Sequence, residues 1–384
     1  MLHDVSRSGP LEGLLVADFS RVLAGPFATM MLADLGARVV KVERPGAGDD
    51  SRAYGPFVDG RSLYFARVNR GKESVALDLK QPEDRAVARA LALRADVLVE
   101  NYRPGVMARL GLGPDELLAE SPGLVYCSIS GFGHTGPWSQ RPAYDAVVQA
   151  MSGILALTGK PGGPPVKPGV PVADLSAGLH AWGGITSALL GRARSGRGTH
   201  VDVALYDASV SLLESPALSY LASGVEPGPV GNGHFSIVPF GSYACADREI
   251  VVCAANDGLF AALARALGAP ELAADARFVT NALRNEHRAE LDAALSGLLR
   301  TATAEHWLGE LDLAGVPCGP ISSVGEAVRS AQTEVRRMVV DAGGLPVPGN
   351  PVKLSAYDDP RERRAAPLLD QHGQAVRAEF GPAR

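Results

Sequence analysis

The feature of this sequence that most restricts its fold is an alternation of short apolar runs with helical patterns. The runs, rich in Val, Leu and Ile, lie at 14–19, 39–42, 75–79, 96–100, 124–129 and 201–205. Between them apolar side chains recur at helical spacing, most extensively at 144–157 and 175–190. Strands that alternate with helices form a mostly parallel sheet covered on both faces. We therefore predict a Rossmann-like α/β domain whose ligands bind beyond the carboxyl ends of the strands.

The character of the sequence changes after Ser223 and suggests a second domain. A loop-rich segment follows, and then a hairpin pattern and two helical patterns. The length of 384 residues also favours about two domains. The predicted division is a large α/β domain at 1–224, completed by 326–384, and a smaller α+β domain at 225–325.

Charge and composition exclude several classes of partner. The 37 Lys and Arg residues and 42 Asp and Glu residues give a formal net charge of −5 without a block of like charges, so we expect no nucleic-acid or membrane surface. The longest uncharged helical pattern, 175–191, is short for a membrane span, and the N-terminal MLHDVSRSGP lacks the apolar segment of a secretory signal. The cysteines and histidines show no metal-ligand spacing. We expect a cytoplasmic protein without a bound metal ion.

A glycine-rich segment after one predicted strand raises the alternative of a nucleotide-binding oxidoreductase. GFGHTG at 131–136 matches the dinucleotide pattern G-x-G-x-x-G. However, Pro137 follows at once, so no helix opens on the glycines, and the segment does not belong to the first strand–helix unit. A tight loop is the favoured interpretation.

Asp174, at the start of the helical pattern 175–190, has two interpretations. Asp at such a position commonly caps a helix N-terminus. A carboxylate near the strand-end cleft can also act as a nucleophile, because carboxylates form covalent intermediates. The residue pattern alone leaves both open.

Basic residues follow several of the predicted strands. Each one is an ordinary solvated residue when taken alone, but a group on one edge of the sheet would bind phosphates, for which the guanidinium fork is well suited. These residues are Arg21, Arg44, Lys72, Arg103, Arg109 and Arg141.

Several longer motifs resemble those of the family III coenzyme A transferases (CaiB/BaiF type), which include formyl-CoA and carnitine CoA-transferases. The motifs are VADFSRVLAGP at 16–26, VVKVERPGAGD at 39–49, NRGK at 69–72, VENYRPG at 99–105 and RPAYD at 141–145. The resemblance runs over nearly the whole chain. Within the family, the chain is most similar to the succinate–hydroxymethylglutarate CoA-transferases, through HFSIVP at 234–239 and VPCGP at 316–320.

The resemblance assigns the family's nucleophilic aspartate to Asp174, within GVPVADLSAG at 169–178. It implies that this carboxylate attacks the thioester of a short acyl-CoA, such as succinyl-CoA, and forms an anhydride with release of CoA thiolate. The thiolate then forms an aspartyl-CoA thioester, which a free carboxylic or dicarboxylic acid attacks. Such intermediates need a closed, dry site. The family closes it with a glycine-rich loop, which corresponds here to Gly231, Gly233 and His234.

The resemblance also implies the CoA contacts and the assembly. It places Leu23 and Ala24 near the adenine and Arg44, Lys72 and Arg109 at the phosphates. Weaker contacts are implied for Asn69, Asn101, Tyr102, Arg103, Arg141 and Tyr144. The CoA thioester is a substrate, and no permanently bound cofactor is implied. Members of the family form interlaced homodimers, and we expect the same of this chain.

Two further alternatives share the CoA thioester as ligand. The α-methylacyl-CoA racemases resemble this chain but exchange a proton through a His-Asp pair, where this chain has Tyr144 and Asp145. Tyrosine is a poor base near neutral pH because its reference pKa is about 10. The second alternative is a non-catalytic acyl-CoA-binding protein. Such a protein would have no activity, so replacement of Asp174 would change none. CoA transfer is the favoured interpretation.

Overall fold

The computed structural model describes residues 9–382, so the N-terminal residues at which the absence of a secretory signal is predicted lie largely outside the described residues. The chain divides into two compact units. Of the described residues, the first unit contains 9–155, 167–225 and 330–382, and the second contains 156–166 and 226–329. The sequence-based division assigns 156–166 to the large domain, and this part is corrected. The segment groups with the second unit, where Gly231 N donates to Gly159 O at 2.9 Å.

The strands are short, and most residues in the strands of the large sheet are buried. In chain order they are β1 (Leu15–Asp18), β2 (Arg38–Glu43), β3 (Phe57–Val58), β4 (Arg61–Ser62), β5 (Glu73–Ala76), β6 (Val97–Glu100), β7 (Val125–Ser130), β8 (His200–Ala204), β9 (Phe240–Ala244), β10 (Glu249–Cys253), β11 (Cys318–Pro320), β12 (Val339–Ala342), β13 (Pro346–Pro348) and β14 (Glu362–Arg363).

The helices range from single turns to one long helix, α8, and a 3₁₀ turn lies at Asp50–Ala53. In chain order they are α1 (Ala24–Asp34), α2 (Leu63–Asn69), α3 (Pro82–Arg94), α4 (Val106–Arg109), α5 (Pro114–Glu120), α6 (Asp145–Met151), α7 (Ile154–Leu157), α8 (Val172–Ser195), α9 (Leu205–Ser211), α10 (Glu214–Ser223), α11 (Asp257–Ala266), α12 (Glu271–Ala274), α13 (Asn281–Glu286), α14 (Arg288–Leu299), α15 (Ala304–Leu313), α16 (Val324–Val328), α17 (Ala331–Val335) and α18 (Gly373–Phe380). No helix of the described part is both long and apolar enough to cross a lipid bilayer.

The first unit is built on a parallel six-stranded sheet with the strand order β5-β2-β1-β6-β7-β8. β1 pairs with β2 through Val16 and Val39 and with β6 through Val16 and Val97, so the sheet extends to both sides of β1. This order confirms the predicted mixed α/β fold with a mostly parallel sheet. The carboxyl ends of β1, β6 and β7 lie next to one another, and the loops that follow them meet at this edge.

Successive side chains of the strands pack into two separate cores, as the two-residue repeat of a strand requires. Val16 belongs to a core that includes Ala28 of α1 and Ala177 of α8. Ala17 belongs to the opposite core, with Leu91 of α3. Helices therefore cover both faces of the sheet, and α1 and α8 lie together on the same face.

The outer edge of the sheet, β5, is covered by the C-terminal segment rather than by another strand. His372 N donates to Ser74 O at 2.9 Å, and Ser74 N donates to the ring Nδ1 of His372 at 3.1 Å. Ala76 N donates to Asp370 Oδ1 at 2.8 Å, and Arg377 donates to Ala76 O. These contacts satisfy backbone groups that would otherwise be free to pair with another chain.

The second unit has its own core and its own sheet, in which β9, β10 and β11 are antiparallel. Ile250 of β10 packs with Phe260 of α11, Leu295 of α14 and Leu311 of α15 in one buried cluster. The unit is therefore of the α+β type.

Candidate active site

The turn after β1 is held in a strained conformation by side chains from other segments. Val22 has a φ of 66°, which is an outlier for a β-branched residue. Its N–H donates to Asp49 Oδ1 at 3.1 Å. Arg21 N donates to Asn101 Oδ1 at 2.8 Å, and Asn101 Nδ2 returns a bond to Arg21 O at 2.8 Å. The turn thus has one fixed shape, and strain of this kind is concentrated at functional sites.

Two buried lysine–aspartate pairs support this turn from the interior. Lys41 Nζ lies 2.9 Å from Asp49 Oδ2 and donates to Ser20 O at 2.7 Å. Lys72 Nζ lies 2.9 Å from Asp18 Oδ2. Burial lowers the pKa of Lys72 to about 8, against the attraction of Asp18. Although burial opposes it, the charges of Lys72 and Lys41 hold the pKa of Asp18 below its usual value.

Two of the expected CoA contacts make their hydrogen bonds inside the fold. Lys72 and Asn69 are both buried, and Lys72 Nζ donates to Asn69 Oδ1 at 2.8 Å as well as to Asp18. All the directional contacts of Lys72 are therefore made inside the fold, and neither residue belongs to the lining of the cleft described next. Their observed role is to fix the neighbouring backbone.

A cleft of about 200 Å³ opens at the carboxyl ends of β1, β6 and β7 and contains Asp174. Its walls come from the turn after β1, the loop after β6 and the loop after β7. It brings Asp174 together with seven of the expected CoA contacts, namely Leu23, Ala24, Asn101, Tyr102, Arg103, Arg141 and Tyr144.

Asp174 lies in the first turn of α8 but does not cap it. The helix begins at Val172, and the N-cap residue Pro171 provides no side-chain cap. The first of the two interpretations, that Asp174 caps the helix, is therefore wrong. Asp145 of α6 takes that role instead, since its Oδ1 accepts a hydrogen bond from Ala173 N at 3.0 Å. The carboxylate of Asp174 is therefore not required to cap the helix.

The surroundings of Asp174 disfavour its charged form. Burial and the nearby negative charge of Asp145 raise the pKa of Asp174 to about 7, while Arg67 acts in the opposite direction. Residues with such shifts in a cleft are candidates for catalysis, because the shift marks a poorly solvated group held close to other charges. A carboxylate in this setting is poised to react with a substrate that displaces the remaining water.

The basic residues around the cleft differ in how far they are already paired. Arg103 and Arg141 line the cleft, are exposed, and form no ion pair with any described residue. Arg21 and Arg44 both pair with Asp50, at 2.9 and 3.1 Å. Arg109 is exposed on α4 and does not line the cleft.

The glycine-rich segment after β7 forms a loop that contributes to the cleft. Gly133 and Gly136 have φ angles of +81° and +85°, and the next helix begins only at Asp145. A Cβ on Gly131 would lie 2.3 Å from the Cβ of Ala143, so the loop closes tightly on itself. The interpretation as a tight loop is confirmed, and no helix opens on the glycines as a dinucleotide site requires.

The expected lid residues belong to the second unit. Gly231 has a φ of +62°, and Gly233 N donates to Val230 O at 3.1 Å, so both lie in a turn. The ring of His234 stacks on Phe235 at 4.5 Å, and its Nδ1 accepts from Ser236 N and Ile237 N at 3.1 Å.

Sequence reasoning missed the roles of Asp145 and Arg67. Asp145 follows Tyr144 in a motif that was recognised, and its position at the start of α6 was the signal for a capping carboxylate. Arg67 lies within an ordinary helical pattern and gave no signal. Across residues 9–382, no group of three or more His, Cys, Asp or Glu side chains is placed to hold a metal ion.

The sequence matches a model of CoA-transferase family III over residues 11–373. It is 50% identical to the acetyl-CoA:oxalate CoA-transferase of Acetobacter aceti, an alignment that covers 97% of this chain and 96% of that protein. It is 42% identical to the succinyl-CoA:glutarate CoA-transferase of Mus musculus, with 98% of this chain and 87% of that protein covered.

Solved structures lead to the same family. The crystal structure of a CaiB/BaiF family protein from Brucella suis superimposes with a TM-score of 0.86 at 42% identity and covers 97% of this chain and 99% of that one. The match extends over both units, and the sequence relatives carry the same activity in their names. The chain therefore belongs to CoA-transferase family III and is a CoA-transferase.

Proposed function

We propose that this enzyme moves CoA from a short acyl-CoA, such as succinyl-CoA or acetyl-CoA, to a free dicarboxylic acid, with Asp174 as the nucleophile. The observation that carries the proposal is the position of Asp174: a half-buried carboxylate with a pKa of about 7, in the cleft at the carboxyl ends of the strands. The sequence relatives are named for acetyl-CoA with oxalate and for succinyl-CoA with glutarate.

The proposed reaction conserves the energy of the thioester. One oxygen of Asp174 attacks the acyl carbon of the donor, the C–S bond breaks, and a mixed anhydride and CoA thiolate result. The thiolate attacks the aspartyl carbon of the anhydride and releases the donor acid, which leaves an aspartyl-CoA thioester. The acceptor carboxylate attacks the carbonyl carbon of this thioester, the C–S bond breaks, and a second anhydride and CoA thiolate result. The thiolate then attacks the acceptor acyl carbon, which yields the new acyl-CoA and free Asp174.

The residues that line the cleft are suited to this sequence of steps. Arg103 and Arg141 are exposed and unpaired within the described chain, so they suit the phosphates of CoA. Leu23, Ala24, Asn101, Tyr102 and Tyr144 provide the remaining proposed CoA contacts, and Arg44 and Arg109 are proposed as outer phosphate contacts. We keep the loop with Gly231, Gly233 and His234 as the proposed lid that excludes water from the anhydride. The proposal needs no resident cofactor.

The proposed assembly is an interlaced homodimer. Helix α10 has no buried residue, although it carries apolar side chains. Leu218 and Leu221 are 68% and 79% exposed. Apolar groups grouped on one helix are typical of an interface, because water does not solvate them favourably. A second copy of the chain would cover this helix.

The experiment that tests the nucleophile is trapping. The enzyme is mixed with succinyl-CoA, treated with hydroxylamine and digested, and the peptide that contains residue 174 is examined by mass spectrometry. Hydroxylamine cleaves anhydrides and thioesters, so we expect a hydroxamate on Asp174. Asp174→Asn should lose the modification and at least about 10³-fold in kcat, since no other group replaces a covalent nucleophile.

Asp115→Asn is the matched control, because Asp115 is also an acid in the first turn of a helix but is exposed and lies outside the cleft. It should behave as wild type. A hydroxamate on another residue, or full activity of Asp174→Asn, would refute the proposed mechanism. Exchange of the α-hydrogen of an acyl-CoA with deuterated water, without an acceptor acid, would favour the racemase alternative instead.

A further inference from the structure

One cation near the site, Arg67 of α2, has no carboxylate partner. Its guanidinium carbon lies 3.9 Å from the ring centroid of Tyr64, and Tyr64 meets Tyr54 edge to face at 5.4 Å. The Nε atom is sealed from solvent without a hydrogen-bond partner, although the residue as a whole is only half-buried. Its neighbour Arg70, by contrast, holds Asp34 through two bonds of 3.0 and 2.6 Å. Within the described chain, no Asp or Glu forms an ion pair with Arg67.

Packing brings α2 and the helix that carries Asp174 against the same part of α1. Val68, adjacent to Arg67, is buried in a cluster with Met30 and Met31 of α1. Leu175, adjacent to Asp174, packs against the same cluster. The electrostatics agree with this proximity. Burial and Asp145 raise the pKa of Asp174, and Arg67 is the one cation with a resolved opposing effect.

The other cations of the site are suited to different tasks. Arg103 and Arg141 are exposed in the cleft, where the solvated phosphates of CoA would lie. The charges of Arg21 and Arg44 are already shared with Asp50. Arg67 is therefore a partly buried cation of this region that has no anionic partner among the described residues. Such a group is favourable only when an anion completes it, because a buried charge without a partner is poorly solvated.

The chemistry of a short diacid requires an anion-binding group at this place. When one carboxyl of the acid is bonded to Asp174, the other is only a few bonds away and must enter the same half-buried region. A carboxylate that leaves water needs a charged partner, and the planar fork of arginine matches its two oxygens. A monocarboxylic acid would present a methyl group to the same cation.

We infer that Arg67 binds the distal carboxylate of a dicarboxylic acid whose other carboxyl reacts at Asp174, and that it thereby sets the preference for diacids over monoacids. The inference rests on the proposed function and adds the residue that selects the substrate class. Tyr64 holds the guanidinium plane in place by stacking, so that the fork is oriented before the substrate arrives.

The test compares glutarate with valerate, in which a methyl group replaces one carboxylate, using succinyl-CoA as the donor. For Arg67→Gln, kcat/KM for glutarate should fall by about tenfold or more, mainly through KM, while kcat/KM for valerate should stay within about threefold or improve. Arg61→Gln is the matched control, because Arg61 is an exposed arginine of β4, just before α2. It should leave both values unchanged.

Arg67→Lys serves as a second variant, because it keeps the charge if Arg67→Gln does not fold. We expect it to lose less glutarate activity than the glutamine variant, with valerate again unaffected. Equal losses toward both acids would overturn the inference, since Arg67 would then act on Asp174 or on the fold rather than on the distal carboxylate. Unchanged glutarate activity in a folded variant would overturn it as well. Absence of any CoA transfer by the wild-type enzyme would instead refute the proposed function itself.

Discussion

At the residue scale, the pKa of Asp174 is raised by burial and by a second carboxylate, Asp145, which also caps the helix that carries Asp174. Asp145 accepts a hydrogen bond from Ala173 N at 3.0 Å and another from Gln149 Nε2 at 2.6 Å. Its charge therefore stabilises the start of α8. The same charge disfavours a second negative charge on Asp174. One side chain thus orders the site and tunes it.

The pH dependence of activity should report this coupling. In the proposed mechanism only the ionised carboxylate attacks, so kcat/KM for the acyl-CoA should fall about tenfold for each pH unit below about 7, where Asp174 becomes protonated. Asp145→Asn keeps an oxygen to accept from Ala173 N but removes the negative charge, so the acid limb should move to lower pH. Rate profiles from pH 5 to 9 measure both midpoints. A midpoint that is the same in both proteins would show that Asp145 does not tune the nucleophile.

The raised pKa of Asp174 also predicts a stability effect. Between the unfolded pKa of about 4 and the folded value of about 7, the native state holds a proton that the unfolded chain releases, so stability falls as pH rises through this window. Asp174→Asn lacks this penalty. It should be more stable than wild type by about 1–2 kcal/mol at pH 8, a figure reduced for partial exposure, and similar at pH 4. Urea unfolding at the two pH values checks the sign. Equal destabilisation at both would argue against a buried charge.

Individual site residues were predictable only where they belong to a recognised motif. Asp174, Arg103 and Arg141 were identified from their motifs, and the structure brings all three to one cleft. Lys72 belongs to the NRGK motif at 69–72, and the resemblance placed it at the phosphates. Its burial against Asp18 depends on the packing of distant strands, which local sequence does not specify. Arg67 was missed for the same reason.

At the scale of elements, the position of the cleft depends on a close approach of α1 and α8. A Cβ on Gly178 would lie 2.8 Å from Ala24 O and 2.9 Å from Phe27 Cδ1. Only glycine permits this approach. Since Ala24 lies in the cleft wall and Asp174 lies one turn before Gly178, the contact also fixes their separation.

Substitution of this glycine should therefore damage both fold and site. Gly178→Ala is expected to destabilise the protein by about 1–3 kcal/mol, because the added methyl group overlaps the backbone oxygen of Ala24 and the ring of Phe27. It should also raise KM for the acyl-CoA. Gly191→Ala in the same helix is the control, because a Cβ there meets nothing within 4 Å, and it should be neutral or stabilising by up to about 1 kcal/mol. Thermal unfolding of both variants tests the contrast, and equal effects would contradict it.

Helical periodicity predicted the long elements but not their interruptions. The pattern at 175–190 is part of the longer helix Val172–Ser195, which ends where Gly196 adopts a φ of 70°. The pattern at 144–157 instead forms two helices, because Gly153 between them has a φ of +92°. Apolar spacing continues across such a break, so periodicity alone does not reveal it.

At the scale of the whole molecule, the exposed apolar helix α10 makes the state of assembly testable. The wild-type protein should sediment at twice its chain mass of 40.0 kDa and should not dissociate on dilution. Leu221→Glu should weaken the assembly or leave the chain insoluble, since Leu221 is 79% exposed and would be buried by the partner. Leu313→Glu, at a leucine of the second unit that is 86% exposed, should have no effect. A stable, active monomer would refute the proposed dimer.

The overall organisation was largely accessible from the sequence because the strand and helix patterns alternate so regularly. The assignment of 156–166 was not, since it depends on backbone hydrogen bonds such as that between Gly231 and Gly159, which are far apart in the chain. Backbone hydrogen bonds of this kind do not depend on residue type. The sequence between 155 and 167 is therefore typical of an ordinary loop and does not show which unit it joins.

The cover over β5 has a consequence for biosynthesis. Ser74 and His372, which bond to each other, are separated by 298 positions. At a translation rate of about 5–20 residues per second, roughly 15–60 s pass between the synthesis of Ser74 and that of His372. The outer edge of β5 is uncovered during this time. During that interval, the backbone groups of β5 that the C-terminal segment later satisfies are free to pair with another chain. Truncated chains that lack this segment would keep the edge of β5 uncovered and would aggregate through it.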